Sequence, residues 1–114
     1  MAETNPHVLV MITCGSDTEA RTIARHLVTN RLAAGAQIIP IQSVYTWQEE
    51  VVEDDEWLLI CKTRREVYEQ VESAVQRLHS YEVVPIYMVS ISEGGRTYLD
   101  WIDETTGDRG STAS

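Results

Sequence analysis

Residues 37–63 read QIIPIQSVYTWQEEVVEDDEWLLICKT, and this stretch carries the strongest structural signal in the chain. Its β-branched and aromatic residues favour extended backbone, so the pattern predicts one long strand over Gln37–Gln48 and a second over Val51–Thr63. Glu49-Glu50 is the predicted turn between them, which makes the two strands an extended hairpin. Because Pro40 has no amide hydrogen to donate, the first strand belongs at a sheet edge or at a bulge.

The segments on either side of the hairpin predict two further strands and three helices. A short apolar run predicts a strand over Val8–Cys14. Ser16 and Glu19 then form a capping box, and the helix that they start keeps its apolar spacing through Leu32, with Gly35 as its expected end. The other predicted elements are a helix over Arg64–His79, a strand over Ile86–Ile91 and a short helix over Thr97–Ile102.

This order of elements, β-α-β-β-α-β with a short C-terminal helix, predicts an α+β fold of the ferredoxin-like split βαβ type. Residues 1–106 form the single predicted domain, and residues 107–114 are a polar tail that we expect to be disordered. Two cysteines do not make a disulfide framework. The predicted topology places Cys14 and Cys61 at opposite ends of the sheet, which excludes a bond between them.

The charge balance narrows the classes of partner. Nine Lys plus Arg face eighteen Asp plus Glu, so the formal net charge is −9. A negative field repels phosphate and lipid headgroups and attracts cations, which disfavours nucleic acid and membrane and favours divalent cations. An equally good explanation of the acidic composition is that it increases the solubility of the protein. The apolar run Val8–Ile12 is too short for the core of a signal peptide, so we expect a cytoplasmic protein, which reduced thiols fit.

The predicted hairpin is longer than the fold requires. Strands of about a dozen residues reach roughly 40 Å at ~3.3 Å per residue, which is well past two helices of ordinary length. The overhanging part carries Tyr45, Trp47, Val51 and Val52. We therefore expect it to dock on further copies of the chain, and the alternative is a solvated, twisted β-arm.

Several spaced motifs, in order over residues 8–102, give the chain a family resemblance. They are Arg31-Leu-Ala-Ala34, Ile39-Pro40, Ser43-Val-Tyr-Thr-Trp47, Glu56-Trp-Leu-Leu-Ile-Cys-Lys62-Thr63, His79-x-Tyr81-Glu82-Val83 and Tyr98-Leu-x-Trp101-Ile102. The chain resembles the CutA divalent-cation tolerance proteins. The resemblance implies a ferredoxin-like subunit, a homotrimer built through long strands, and a link to tolerance of copper and other divalent cations.

The resemblance also implies a metal site, but the chain departs from the family pattern there. The family's suggested copper ligands are a first-strand cysteine, a histidine and a glutamate; here Pro85 stands at the glutamate position, and Cys14 is one residue past the cysteine position. We expect His79, Cys14 and Glu82 to bind a divalent ion such as copper or zinc weakly, with no tightly bound cofactor. The alternative role of His79 is an imidazolium that interacts with the dipole at a helix C-terminus.

A second group of residues is expected at interfaces or clefts between subunits. Lys62 is the only lysine, and it either holds an anion in such a cleft or pairs with Glu56 or Asp55. The aromatic members of the group, which are as readily packing anchors as ligand platforms, are Tyr45, Trp47, Tyr81 and Trp101.

No nucleophile, phosphate-loop or zinc-hydrolase motif is present in the sequence, and six carboxylates near the hairpin tip are expected to be solvated. The expected function is therefore that of a trimeric cytoplasmic protein of copper and divalent-ion tolerance, which binds metal weakly and catalyses no reaction. The alternative is a trimeric small-ligand-sensing or scaffold signalling protein that uses its intersubunit clefts. The sequence identifies no protein partner.

Overall fold

The computed structural model describes residues 5–107, which form four strands and three α-helices in the predicted order. The elements are β1 (His7–Cys14), α1 (Asp17–Thr29), β2 (Gly35–Trp47), β3 (Glu50–Arg64), α2 (Tyr68–Leu78), β4 (Ile86–Ser90) and α3 (Arg96–Thr105), with one 3-10 turn (Arg65–Val67) before α2. The ferredoxin-like fold is confirmed. Of the predicted tail, residues 108–114 lie outside the described part of the chain, and the Gly107 amide donates to the Arg31 carbonyl oxygen at 2.7 Å.

The sheet is antiparallel throughout and has the strand order β2-β3-β1-β4. Every second side chain of β1 is fully buried, from Val8 to Cys14, because it points to the face that the helices cover. The same core takes in the apolar stripes of both helices, namely Ala20, Ile23 and Leu27 of α1 and Val71, Ala74 and Val75 of α2. Packing in this core fixes the positions of the ends of β1, α1 and α2 relative to one another.

The first helix ends earlier than the sequence indicates. Ser16 caps it as predicted, because its Oγ accepts the Glu19 amide hydrogen at 3.1 Å. The helix stops at Thr29, and Arg31 takes a left-handed conformation with φ 61°. Gly35 does not close the helix but begins β2, where it lies opposite Lys62. Trp101 packs on Gly35, since an added Cβ would lie 3.1 Å from its ring.

The second helix is also shorter than predicted. Arg64 belongs to β3, where its Nε donates to Thr106 Oγ1 at 2.9 Å and so ties the strand to the end of α3. His79 lies just outside α2 in extended backbone, and its amide donates to the Val75 carbonyl oxygen at 2.9 Å.

The hairpin is confirmed, with its turn displaced by one residue from the predicted position. Gln48 and Glu49 form a two-residue turn, with φ of 52° and 70°, and Trp47 pairs with Glu50. Pro40 lies in β2, which is an edge strand, as its missing amide hydrogen predicts. Because β1 ends at Cys14 opposite Trp57, the part of the hairpin beyond that point has no further strand beside it.

The face of the sheet opposite α1 and α2 is only partly covered. The helix α3 lies over one end of it, where His7 Nε2 and Asp103 Oδ1 are 2.9 Å apart and Ile102 is buried. Elsewhere this face leaves large apolar side chains exposed, and Tyr87 retains 55% of its accessible surface.

The two cysteines are both buried and free. Cys61 lies opposite Val10, near the middle of β1, so the prediction that it lies at the other end of the sheet from Cys14 is wrong. The reason is the register of the two strands, because residues 62–64 of β3 still pair with residues 7–9 of β1 after Cys61. Four residues of strand still separate the two positions, about 13 Å, which is too far for a disulfide.

Candidate functional site

Three potential metal ligands converge where β1, α1 and α2 meet. The ligand atoms of Cys14, Glu19 and His79 all lie within 4.8 Å of one another, and they form the one such group found among residues 5–107. Cys14 ends β1, Glu19 lies in the first turn of α1, and His79 follows α2 directly. The sequence predicts two of these three residues. We call them the Cys14–Glu19–His79 group.

The imidazole of His79 is buried and both of its nitrogens are engaged. Nε2 lies 2.7 Å from the Thr13 carbonyl oxygen, which can only accept, so Nε2 carries the proton. Nδ1 then accepts the Tyr81 amide hydrogen at 3.1 Å. These contacts fix the tautomer and the ring orientation. They replace the predicted interaction of an imidazolium with the dipole of α2.

Glu19 takes the position that the sequence assigns to Glu82. Its carboxylate accepts the Ser80 amide hydrogen at 2.7 Å and the Ser80 hydroxyl at 3.2 Å, and it lies 3.9 Å from His79 Nδ1. The capping-box pattern did place Glu19 at the start of α1. It did not show that the carboxylate turns away from Ser16 toward the segment after α2, because that contact spans 61 residues of sequence.

The thiol of Cys14 is fully buried and remains protonated at neutral pH. Burial, with smaller contributions from the charges of Glu19 and Glu56, raises the pKa of Cys14 to about 12 from its ordinary value of 9.0. A thiol must lose its proton to become a strong metal ligand. Metal binding at this group therefore has to displace a proton from Cys14 and a hydrogen bond from His79.

Glu82 lies outside this group and lines a cavity beside the hairpin. The cavity has a volume of about 740 Å³ and is bounded by the end of β1, the hairpin and the loop between α2 and β4. We call it the hairpin cavity. Its lining residues are Thr13, Ser43, Val44, Tyr45, Thr46, Trp47, Asp54, Glu56, Tyr81, Glu82, Val83 and Pro85.

Two tyrosine–carboxylate pairs lie in the hairpin cavity. The Tyr81 hydroxyl donates to Glu56 Oε2 at 2.5 Å, and the Tyr45 hydroxyl donates to Asp54 Oδ2 at 2.6 Å. Glu56 is only 5% exposed, so it is not one of the solvated carboxylates that the sequence predicts near the hairpin tip.

The two tyrosine hydroxyls stay protonated over the physiological range. The hydrogen bond to Asp54 raises the pKa of Tyr45 to about 12, and burial together with the hydrogen bond to Glu56 raises the pKa of Tyr81. Tyr81 reaches Glu56 because Gly15 leaves room for its ring. A Cβ at Gly15 would lie 2.7 Å from the Tyr81 hydroxyl oxygen, which is closer than van der Waals contact allows.

Lys62 and Trp101 lie at the other end of the sheet from the hairpin cavity. The Lys62 ammonium donates to Gln37 Oε1, and burial lowers its pKa. The prediction that Lys62 pairs with Glu56 or Asp55 is wrong, because those carboxylates lie six and seven residues earlier on the same strand. Trp101 packs on Gly35 and against Tyr98, with ring centroids 5.5 Å apart. The five predicted cleft residues are therefore divided between two regions.

Comparison with known proteins agrees with the observed fold. A family model described as CutA1 divalent ion tolerance protein matches residues 8–105. The divalent-cation tolerance protein CutA of Thermus thermophilus is 48% identical over 100 residues, which are 87% of this chain and 97% of that protein. The solved CutA1 structure from T. thermophilus aligns with a TM-score of 0.86 at 47% identity, covering 89% of this chain and 99% of that chain.

A plant structure extends the comparison. CutA1 from Oryza sativa aligns with a TM-score of 0.88 at 32% identity, covering 92% of this chain and 97% of that chain. Within residues 5–107, no helix is long and apolar enough to cross a membrane.

Proposed function

Because the chain belongs to the CutA1 family of divalent ion tolerance proteins, we propose that it acts in tolerance of divalent cations, copper among them, as a homotrimer that binds these ions weakly. It catalyses no reaction in this proposal. The observation that carries the metal role is the convergence of the Cys14, Glu19 and His79 ligand atoms within 4.8 Å. Sulfur and imidazole ligands favour copper and zinc over magnesium or calcium.

The same geometry makes binding weak. An ion at this group competes with the Tyr81 amide for His79 Nδ1 and with a proton for the Cys14 sulfur. It also competes with the Ser80 amide for the Glu19 carboxylate. Three ligands that already have partners bind an ion less tightly than three preformed, free ligands, and affinity falls as the pH is lowered.

The homotrimer is supported by apolar surface that a single chain leaves uncovered. Val51 near the hairpin tip is 74% exposed, and the sheet face opposite α1 and α2 exposes Ile39, Tyr87 and Val89. We assign Tyr45, Trp47 and Tyr81 to one intersubunit region at the hairpin and Lys62 and Trp101 to another at the opposite end of the sheet. Large aromatic side chains are preferred anchors of such interfaces.

We also propose a cytoplasmic location, since both cysteines are free and buried. Relatives are described with other compartments: the CutA of Archaeoglobus fulgidus is described as periplasmic, and that of Arabidopsis thaliana as chloroplastic. The net charge of −9 supports cations as ligands and disfavours nucleic acid and anionic membrane as partners.

Calorimetric titration with Cu²⁺ and Zn²⁺ tests the metal role. We expect dissociation constants above about 1 μM for the unmodified protein and at least tenfold weaker binding in Glu19→Gln, Cys14→Ser and His79→Ala. The control His26→Ala removes an imidazole on α1, outside the group, and leaves affinity unchanged. Circular dichroism of each variant separates loss of a ligand from loss of fold.

Two results would contradict the proposed metal site. One is submicromolar copper affinity that survives both His79→Ala and Cys14→Ser. The other is binding that is indifferent to all three variants but is lost at moderate salt, because this indicates diffuse attraction to the hairpin carboxylates.

A further inference from the structure

Two successive backbone amides occupy ligand atoms of the Cys14–Glu19–His79 group. The Tyr81 amide donates to His79 Nδ1 at 3.1 Å, and the Ser80 amide donates to Glu19 Oε2 at 2.7 Å. Nδ1 has a single lone pair, because the ring proton is on Nε2, so it cannot accept the amide hydrogen and bind a metal ion at the same time. The segment after α2 therefore holds the atoms that an ion would need.

The Tyr81 amide is held in this position from the other end of the same residue. The Tyr81 hydroxyl donates at 2.5 Å to Oε2 of Glu56, a carboxylate on β3 that is only 5% exposed. The ring lies beside Gly15, where an added Cβ would be 2.7 Å from the hydroxyl oxygen. A hydrogen bond to a charged acceptor is stronger than one between neutral groups. The bond to Glu56 therefore favours the conformation in which the Tyr81 amide occupies His79.

The segment that carries the two amides lies between two fixed ends. Residues 80–84 belong to neither a helix nor a strand. On one side, the His79 amide donates to the Val75 carbonyl oxygen at 2.9 Å, and on the other, the Thr13 amide donates to the Pro85 carbonyl oxygen at 3.1 Å. A rearrangement confined to this segment frees both ligand atoms without disturbing α2 or β4.

We propose that residues 80–81 are a built-in competitor for the metal ligands and that the Tyr81–Glu56 hydrogen bond holds this competitor in place. The inference rests on the proposed function, since it concerns regulation of the same group, and every contact that carries it lies within one chain. Ion binding and the Tyr81–Glu56 bond then oppose each other, and such coupling is reciprocal. Loss of the bond raises the affinity for the ion, and bound ion weakens the bond.

Calorimetric titration of the intact protein with Zn²⁺, in its native assembly, tests the coupling. Tyr81→Phe keeps the ring and the amide and removes only the hydroxyl, so zinc should bind at least about fivefold more tightly than it does to the unmodified protein. Tyr45→Phe is the matched control, because it removes the hydrogen bond to Asp54 from a residue whose backbone lies in β2. Its zinc affinity should change less than about twofold. Sedimentation of the same samples monitors the assembly.

Hydrogen exchange in the unmodified protein provides a second measurement, which serves even if Tyr81→Phe fails to fold. With saturating Zn²⁺, the amides of Ser80 and Tyr81 should exchange at least about threefold faster, because the ion takes their acceptors. The His79 amide is the local control and should not exchange faster, since its acceptor is the Val75 carbonyl oxygen.

Failure of the coupling and failure of the metal role give different results. Zinc binding that depends on His79 but is equal or weaker in Tyr81→Phe would overturn the coupling alone, as would unchanged exchange at Ser80 and Tyr81. An equal gain in Tyr45→Phe would also contradict it, because the cause would then be a general loosening of the hairpin. If zinc binding is absent, or indifferent to His79→Ala, in both the unmodified protein and Tyr81→Phe, the metal role and the coupling are both wrong.

Discussion

Tyr81 connects the Cys14–Glu19–His79 group and the hairpin cavity through separate atoms. Its amide donates to His79 Nδ1 in the Cys14–Glu19–His79 group, and its hydroxyl donates to Glu56 in the hairpin cavity. The ring also lies 4.8 Å from the His79 ring, measured between centroids. A change at this residue is therefore expected to affect both regions.

Replacement of Tyr81 by phenylalanine should destabilise the protein. Tyr81→Phe keeps the ring over Gly15 but leaves the nearly buried Glu56 carboxylate without its donor, which costs about 1–3 kcal/mol in the free energy of unfolding. Urea unfolding measures the change. Tyr68→Phe removes a tyrosine hydroxyl on α2, outside the proposed interfaces, and is the control, with an expected loss below about 0.5 kcal/mol. Equal losses in the two variants would argue against a structural role for the bond.

The two buried thiols should make stability fall with rising pH. Burial raises the pKa of both Cys14 and Cys61 from 9.0 to about 12. Between these values the unfolded chain has released thiol protons that the folded chain keeps, so the free energy of unfolding decreases as pH rises. The slope is up to about 1.4 kcal/mol per pH unit for each thiol.

Urea unfolding at pH 8, 9.5 and 10.5 measures this slope, without metal. The double variant Cys14→Ala/Cys61→Ala should flatten the alkaline decline, although cavities lower its stability at every pH. The tyrosines with raised pKa contribute at the upper end of the range and remain in the variant. An identical slope in the two proteins would mean that the thiols do not supply the effect.

At the scale of single residues, the sequence predicts some of the site residues and misses others. His79 and Cys14 could be predicted because the family resemblance implies a histidine and a first-strand cysteine as metal ligands. Glu19 and Glu56 could not, since each is one of eighteen acidic residues. Their roles depend on contacts with Ser80 and Tyr81, which lie 61 and 25 residues away in sequence.

At the scale of elements, the hairpin is the best-predicted feature, although its turn lies one residue earlier than predicted. The alternation of β-branched and aromatic residues defines both strands to within two residues at each end. The turn contains neither glycine nor asparagine, so nothing in the sequence marks the two residues with positive φ. Gln48 and Glu49 adopt that conformation because the strands on either side pair in register from Trp47 and Glu50 outward.

Relief of this turn should stabilise the protein. A non-glycine residue in left-handed backbone costs about 1–2 kcal/mol, and Asn-Gly is the preferred pair where both residues have positive φ. Gln48→Asn/Glu49→Gly should therefore raise the free energy of unfolding by about 1 kcal/mol. Gln42→Asn, in the extended part of β2, is the control and should give no gain. A fall in stability of the turn variant would show that the two side chains make favourable contacts.

At the scale of the whole molecule, the order of elements and the sheet topology could be read from periodicity because each element has a clear apolar pattern. The ends of the elements are harder to predict from the sequence, because a helix stops where long-range contacts hold the backbone in another conformation. Arg31, for example, turns the chain after α1, and its side chain donates to the Glu104 carbonyl oxygen at 3.2 Å. No local pattern around Arg31 contains that information.

Salt should stabilise the assembled protein. In the proposed homotrimer, three chains of −9 each carry a formal charge of −27, and the ion pairs among residues 5–107 are few and mostly exposed, so repulsion is not cancelled locally. Sodium chloride screens this repulsion, because the Debye length falls from about 30 Å at 0.01 M to about 10 Å at 0.1 M. The melting temperature should rise over that range. A flat or falling melting temperature would mean that the acidic residues are locally compensated.

The proposed homotrimer is the basis of the proposed interface roles of Tyr45, Trp47, Tyr81, Lys62 and Trp101, and sedimentation equilibrium tests it most directly. Measured at micromolar concentration in moderate salt, the protein should sediment as one species with three times the 12.9 kDa chain mass. A stable monomer at the same concentration would contradict the account, because the exposed hairpin and sheet face would then have no protein to cover them.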